Sequence, residues 1–462
     1  MDEVGISFLI FFGYLSLALL LAAFFRSQFK ILQKYLIPSS IIAGLIMLII
    51  GPVLDIVRFP VGDEAEMLLF HLISVIFVII GLRSYRPAEK TRARDTFKLT
   101  AVAVNVLAVQ FLIGLFFTSI IIFLINPHFF AGFGSFLMLG QGFDPNVALF
   151  FGGYWEQDLG FSGGKSIAFS FSALGFLLAY LVGLTYIIWA RARGAVEPQP
   201  GEKSTVAQSG IVPKGSRKKA GALLTTHPQS IETFTLHLAV IGFSLLLLYE
   251  FTRIIIFLIC KYLTPGILIV AEIFANFNFL FGILIGLGVR KFMELLKIDY
   301  VVDNGVLNRL LGIAVDFMIV AAIVSIPLAI STVNPWEILL LSFVGAILTL
   351  FAVKLLLEKV YRDRDLEKQV ALYGFLTGNI SSALALLRVM DPQLQRPLAR
   401  NLAYTGGLSF LAAVPLFFLI NIPLFGGASN IMLAAGLALG YALLIFAVWH
   451  FAVGRRGSAG AD

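Results

Sequence analysis

The chain has 462 residues, of which 59% are hydrophobic and only 13% charged, whereas soluble globular proteins carry about 25% charged residues. This composition excludes a soluble domain and predicts a polytopic, all-α membrane protein whose architecture is set by the bilayer. The single cysteine excludes an internal disulfide framework, and the net charge of +7 fits basic cytoplasmic loops better than binding of nucleic acid.

Apolar segments long enough to cross a bilayer, which takes about 20 residues, recur along the whole chain. Eleven such spans are predicted near residues 6–25, 37–56, 65–84, 97–125, 165–190, 231–259, 265–289, 305–330, 335–357, 403–424 and 427–452. Two further apolar regions, 129–155 and 368–390, are interrupted by polar residues. Their arms are too short to span about 30 Å of hydrocarbon, so both are predicted to be re-entrant hairpins.

Basic residues follow every odd-numbered span, and the opposite loops carry few of them. They include Arg26, Lys30, Arg83, Arg191, Arg290, Lys359 and Arg455. The positive-inside rule therefore predicts an external N-terminus and a cytoplasmic C-terminus. The long polar segment 195–230 is predicted to be a flexible cytoplasmic linker.

This linker divides the chain into two halves with the same plan. Lys34-Tyr35-Leu36-Ile37-Pro38 opens the second span of one half, and Lys261-Tyr262-Leu263-Thr264-Pro265 opens the second span of the other. Five spans per half is an odd number, so the two halves run in opposite senses, as in secondary transporters. The predicted parts are a first repeat at 1–194, the linker at 195–230, a second repeat at 231–424, and an extra span with a tail at 425–462.

Each half contains one polar, glycine-containing break at the tip of its hairpin. Non-helical backbone is tolerated at membrane depth only where it is buried in protein or lines a wet cavity, and paired breaks of this kind indicate a transporter binding site. The predicted solute-binding residues are Gly140, Gln141, Gly142, Asp144 and Asn146 in the first tip, and Thr377, Gly378, Asn379, Ser381 and Ser382 in the second. The alternative for the first tip is a plain external loop with Asx-turn chemistry.

Ionisable and amide side chains inside spans are further candidates, because they are costly in hydrocarbon. Asp316 is predicted to bind the coupling ion or a proton, with an interhelical pair as the alternative. Asn276 and Asn278 indicate either a partly unwound, cation-binding helix or interhelical hydrogen bonds. Arg388 suits a snorkelling topology residue, with a counter-charge for an anionic solute as the alternative. Glu250 and Arg253 are expected to pair on one helix face.

Motifs for chemistry are missing from the sequence. The segment Gly160-Phe161-Ser162-Gly163-Gly164-Lys165-Ser166 is one residue short of a phosphate-binding loop and is predicted to face outside. Nucleophile–base sets, metal-ligand motifs and dinucleotide fingerprints are not found. The sequence therefore predicts neither an enzyme nor a bound organic cofactor.

The order of these features resembles the sodium/glutamate symporter family over nearly the whole chain up to about residue 424. The resemblance rests on Lys34-Tyr35-Leu36-Ile37-Pro38, on Ile79-Ile80-Gly81-Leu82, on the first hairpin running into Leu159-Gly160-Phe161, and on Tyr373-Gly374-Phe375-Leu376-Thr377-Gly378. Well-known members carry a Ser-Gly-Gly-His-Gly-Thr type of tip. Both tips of this chain have other residues at these positions, so the chain resembles a divergent branch of the family.

The resemblance implies a homodimer in the bacterial inner membrane, with a scaffold and a mobile unit that moves like an elevator. It also implies sodium-coupled symport of glutamate or of a related amino acid or organic anion. Sodium is then the expected cofactor ion. The alternatives are a different solute, proton coupling, or a receptor or channel that does not transport.

Overall fold

The computed structural model describes residues 3–34, 38–56, 61–84, 93–143, 145–194, 223–227, 229–262, 278–324, 333–361, 365–394, 396–425 and 427–449. Within these ranges the chain is helical and contains no strand. Eight helices are long and apolar enough to cross a membrane. These findings confirm the prediction of an all-α polytopic membrane protein.

The helices follow the predicted spans closely. They are α1 (Glu3–Gln28), α2 (Lys30–Lys34), α3 (Ser39–Ile56), α4 (Val61–Leu82), α5 (Ala93–Leu124), α6 (Pro145–Asp158), α7 (Gly164–Ala192), α8 (Thr233–Tyr262), α9 (Asn278–Leu295), α10 (Asn304–Val324), α11 (Pro335–Tyr361), α12 (Leu366–Thr377), α13 (Ile380–Met390), α14 (Leu398–Leu419) and α15 (Gly427–Trp449). The eight candidate spans lie in α1, α5, α7, α8, α10, α11, α14 and α15. Predicted spans two and three correspond to α3 and α4, whose apolar stretches are shorter.

The second half departs from the predicted bounds in two places. The seventh predicted span, 265–289, lies partly outside the described residues, and its described helix, α9, continues beyond the predicted end to Leu295. The tenth predicted span, 403–424, corresponds to α14, which begins earlier than expected, at Leu398. Its first turn is polar, so hydropathy alone could not detect that start.

Both predicted hairpins contain short helical segments and a break at the polar tip, and the entry arm of the first consists mainly of turns. The first has a π-helical turn at Leu137–Gln141 followed by α6, and the second has α12 and α13 joined through Gly378 and Asn379. The arms α6, α12 and α13 contain 14, 12 and 11 residues. At 1.5 Å per residue each is shorter than the hydrocarbon core.

The chain forms two compact units, and each unit takes corresponding parts of both halves. Unit 1 comprises residues 1–90, 198–325 and 391–403, and unit 2 comprises 91–197, 326–390 and 404–462. Unit 1 therefore contains the first three predicted spans of each half. Unit 2 contains the fourth span, the hairpin and the fifth span of each half, together with the extra eleventh span.

Unit 1 is built around α4, which packs against α9 and α10. Close approach of α4 to α9 depends on glycines: a Cβ at Gly81 would lie 3.0 Å from Gly286 Cα, and a Cβ at Gly286 would lie 2.5 Å from Val78 O. Small residues let membrane helices approach closely enough for strong dispersion contact. Gly288, two residues further along α9, has open space around it.

Unit 2 holds both hairpins among α5, α7 and α11. Gly114 on α5 and Gly134 in the first hairpin meet backbone to backbone, and a side chain on either would overlap the other residue's carbonyl group. Trp155 on α6 is fully buried, packs edge-on against Phe136, and donates its indole N–H to Asn421 Oδ1 at 3.1 Å. These contacts fix the first hairpin along both of its arms.

The glycine crossing in unit 1 can be tested with a matched pair of substitutions. Gly286→Val should lower the free energy of unfolding by about 1–3 kcal/mol, because the added side chain overpacks a backbone contact. Gly288→Val makes the same change in helix propensity and meets no neighbour, so it should be close to neutral. Thermal unfolding of the two variants in detergent measures the difference. Equal melting temperatures would contradict the crossing.

Candidate functional site

The first tip is held tightly by glycines that leave no room for side chains. A Cβ at Gly140 would lie 2.6 Å from Phe171 Cβ and 3.0 Å from Ser172 N, both on α7. A Cβ at Gly142 would overlap Gln110 Oε1 on α5. Between the two glycines, Gln141 is fully buried in the π-helical turn. Single π-turns of this kind are frequent at functional sites.

The second tip is shaped by a helix cap. Asn379 Oδ1 accepts hydrogen bonds from the backbone N–H of Ser381 at 2.8 Å and of Ser382 at 3.3 Å, and from the Ser381 hydroxyl. Asn379 is therefore the N-cap of α13. The predicted ligand atoms of Asn379 and Ser381 are engaged in forming this helix, which explains both residues without a solute.

The two tips meet at Gly175 on α7. A Cβ at this position would overlap the Thr377 carbonyl oxygen of the second tip and lie 3.0 Å from Gln141 Cγ of the first. A second contact comes from Gln110, whose Nε2 donates to Leu376 O at 2.7 Å while its Oε1 lies against Gly142. Within unit 2, the two polar breaks identified in the sequence thus lie together.

Main-chain carbonyls fix the direction of both buried amides. Gln110 Nε2 donates to Leu376 O and to Thr349 Oγ1 at 3.0 Å, and Gln141 Nε2 donates to Ser342 O at 3.2 Å. A carbonyl can only accept, so the NH₂ group of each amide must face it. The side-chain oxygens Gln110 Oε1 and Gln141 Oε1 must therefore point the other way.

A cluster of buried oxygen atoms around the tips is left without hydrogen-bond partners in the described part of the chain. Its members are Gln110 Oε1, Gln141 Oε1, Ser342 Oγ, Thr377 Oγ1, Ser382 Oγ and the Tyr180 hydroxyl. The Tyr180 hydroxyl is directed at Ser382, and the Tyr373 hydroxyl, which donates to Leu178 O at 3.3 Å, is directed at Thr377. Neither contact reaches hydrogen-bond geometry. A buried polar group left unpaired costs about 1–3 kcal/mol. We refer to these six atoms as the acceptor cluster.

The acceptor cluster suits a positively charged guest. Each member can accept a hydrogen bond or donate a lone pair to a cation, and the four hydroxyls can also donate a hydrogen bond. Carbonyl and hydroxyl oxygens at broken helices are the ligands that sodium takes in transporters, and an ammonium group would suit the same atoms. Helices α6 and α13 begin directly after the two tips, and helix N-termini favour carboxylates.

The other predicted site residues have different surroundings. Asp144 and Asn276 lie outside the described residues, and of Asn146 only the helical backbone in α6 is described. Asn278 is buried in unit 1, where Ser74 Oγ donates to its Oδ1 at 3.1 Å. This bond favours the interhelical alternative for Asn278. Half-buried Asp316 also belongs to unit 1, on α10.

Arg388 lies in the last turn of α13 and is half-buried. It is eight residues from Ile380, the first residue of the helix, which corresponds to about 12 Å along the axis. This distance from the tip favours the topology role over the counter-charge role.

Sequence reasoning missed Gln110, Gly175, Tyr180 and Ser342, which lie on α5, α7 and α11. Polar residues inside apolar spans could have indicated three of them. Gly175 carried no signal, because one glycine within the Ala- and Ser-rich fifth span is unremarkable in sequence.

Comparison with protein-family models, curated proteins and solved structures found no match for this chain.

The meeting of the tips predicts a steric phenotype for Gly175→Ala. The new methyl group must push the Thr377 backbone or Gln141 aside, at about 1–3 kcal/mol. Sodium or solute affinity should therefore fall about tenfold or more. Gly440→Ala on α15, where a Cβ meets nothing within 4 Å, is the control. Affinity measured by thermal shift or calorimetry should separate the two variants, and equal affinities would contradict the contact.

The acceptor cluster predicts an unusual result for Thr377→Val. Removing an unpaired buried hydroxyl should leave the ligand-free protein equally or more stable, because a cost of about 1–3 kcal/mol disappears, while sodium-induced stabilisation should be lost. Thr349→Val is the matched control, since Thr349 Oγ1 accepts from Gln110, and its loss should cost about 1 kcal/mol. Melting temperatures in sodium chloride and in choline chloride measure both effects. A destabilised Thr377→Val protein that keeps its sodium response would refute the assignment.

Proposed function

We propose that this chain is a sodium-coupled secondary transporter of glutamate or of a related amino acid or organic anion. The observation that carries the proposal is the acceptor cluster where two hairpin tips meet. It combines non-helical backbone, buried oxygens and two adjacent helix N-termini, the features that bind ions and anionic solutes in transporters. An amino acid presents one ammonium and at least one carboxylate, and both have counterparts at this site.

Sodium fits better than a proton as the coupling ion. The six atoms of the acceptor cluster come from amides, aliphatic hydroxyls and one phenol. None belongs to a carboxylate or histidine, the groups that relay protons in pumps and transporters. Neutral oxygens can replace the hydration shell of a cation without titrating.

The division into units supports inverted repeats and alternating access. Both halves contribute their first three spans to unit 1 and their hairpins to unit 2. Such a division is expected when two repeats interleave, with one unit acting as a scaffold and the other carrying the site. In an elevator motion, unit 2 would take sodium and solute from the outer face to the cytoplasmic face.

The membrane setting completes the proposal. Large apolar side chains with high exposure, among them Leu20 at 70%, Phe116 at 69% and Phe418 at 72%, are suited to contact lipid. We assign the chain to a bacterial inner membrane as a homodimer, with its N-terminus outside and its C-terminus in the cytoplasm.

Uptake into proteoliposomes tests this proposal. An inward sodium gradient should drive accumulation of a labelled amino or dicarboxylic acid above equilibrium, and a sodium ionophore should abolish it. Thr377→Val should lose the sodium activation, and Thr349→Val should retain it. If no amino or dicarboxylic acid is accumulated in a sodium-dependent way, the proposal is wrong. Equilibration without saturation or counterflow would indicate a channel instead.

A further inference from the structure

Helix α8 exposes more of its surface than a helix inside a bundle. Only 17% of its apolar window is buried. Its buried face, which includes Ile241, Ser244, Leu248 and Thr252, lies within unit 1, where α8 packs against α4 and α9. Among the residues that the structure describes, none covers most of the remaining surface of this 30-residue helix.

An ion pair lies on this uncovered surface. Arg253 Nη2 lies 2.6 Å from Glu250 Oε2, and the two side chains are 77% and 44% exposed. Glu250 is about 4 Å along the axis from the midpoint of α8, whereas the hydrocarbon core extends about 15 Å to either side of its centre. Arg253 reaches back toward the helix N-terminus, and thus toward the membrane centre. Charged groups at this depth normally face protein or water rather than lipid.

The ion pair belongs to a regular stripe. Phe243, Leu246, Glu250, Arg253, Phe257 and Cys260 follow one another at alternating spacings of three and four residues. Phe243, Leu246 and Phe257 are 53%, 56% and 60% exposed, and Cys260 is also exposed. This is the a/d spacing of a left-handed helix pair, which averages 3.5 residues. We call these six residues the α8 stripe.

We propose that the α8 stripe is the contact surface for a second copy of this chain, with the two α8 helices parallel about a twofold axis along the membrane normal. The stripe is self-complementary, because it carries one acid and one base a turn apart. Arg253 of one protomer contacts Glu250 of the partner subunit, and the reciprocal pair completes a network of four charges. Polar groups at such positions fix register and partner number. This inference requires only that α8 spans a bilayer and does not depend on transport.

The native cysteine provides the test. Cys260 is the only cysteine of the chain and occupies the last position of the stripe, two residues before α8 ends. In a parallel twofold pair, Cys260 of one protomer lies opposite Cys260 of the partner subunit. Copper–phenanthroline oxidation of membranes should therefore produce a covalent dimer on non-reducing gels. Cys260→Ser should abolish that dimer.

Position and charge provide the controls. In the Cys260→Ser background, Phe257→Cys should restore the covalent dimer. Leu258→Cys should not, because Leu258 is exposed but lies off the stripe.

Glu250→Arg or Arg253→Glu alone should reduce cross-linking at Cys260 at least fivefold, and the double reversal should restore that cross-linking. Three results would each overturn the proposal. They are equal cross-linking of the 257 and 258 variants, no cross-linking at Cys260, and failure of the double reversal to restore cross-linking at Cys260. Normal sodium-driven uptake alongside any of these results would leave the transport proposal standing.

Discussion

The missing side chain at Gly175 is the constraint on which the candidate site depends. One hydrogen atom in place of a methyl group lets the Thr377 carbonyl and the Gln141 side chain reach the backbone of α7 together. Gln110 then contacts both tips through one amide, donating to Leu376 O and placing its oxygen against Gly142. Glycines at 140 and 142 allow the same closeness on the other sides of the first tip. The geometry is thus set by steric room in the backbone, and the polar side chains are oriented within it.

The chemical character of the site follows from how hydrogen bonds are distributed. Main-chain carbonyls accept one N–H from each of the amides of Gln110 and Gln141, and the cap of α13 uses the oxygen of Asn379. What remains around the tips is a set of oxygens. Two amide oxygens and four hydroxyls buried without partners are unfavourable by themselves, because these polar groups are desolvated. Under the proposed function, a bound cation would supply the partner that these oxygens lack.

Much of the fold could be predicted from the sequence, because bilayer thickness and backbone satisfaction restrict the possibilities so strongly. The two breaks were visible for the same reason. The pairing of Glu250 with Arg253 followed from their three-residue spacing on a helix, and it is confirmed at 2.6 Å. The roles of individual tip residues were not predictable. Whether a polar side chain caps a helix, as Asn379 does, or is left unpaired, as Thr377 Oγ1 is, depends on neighbours far away in the sequence. Asn278 shows the same limit, since its partner Ser74 lies in the other half.

The environment of Trp155 has a consequence for spectroscopy. Its indole ring is sealed among aromatic side chains, and its N–H is held by Asn421, whereas Trp189 and Trp336 are 44% and 78% exposed. An indole shielded from water emits at shorter wavelength than an exposed one. Because α6 continues directly from the first tip, Trp155 places a fully buried indole in the hairpin arm. Trp155 is therefore an intrinsic fluorescent probe beside the first tip, and no added dye is needed.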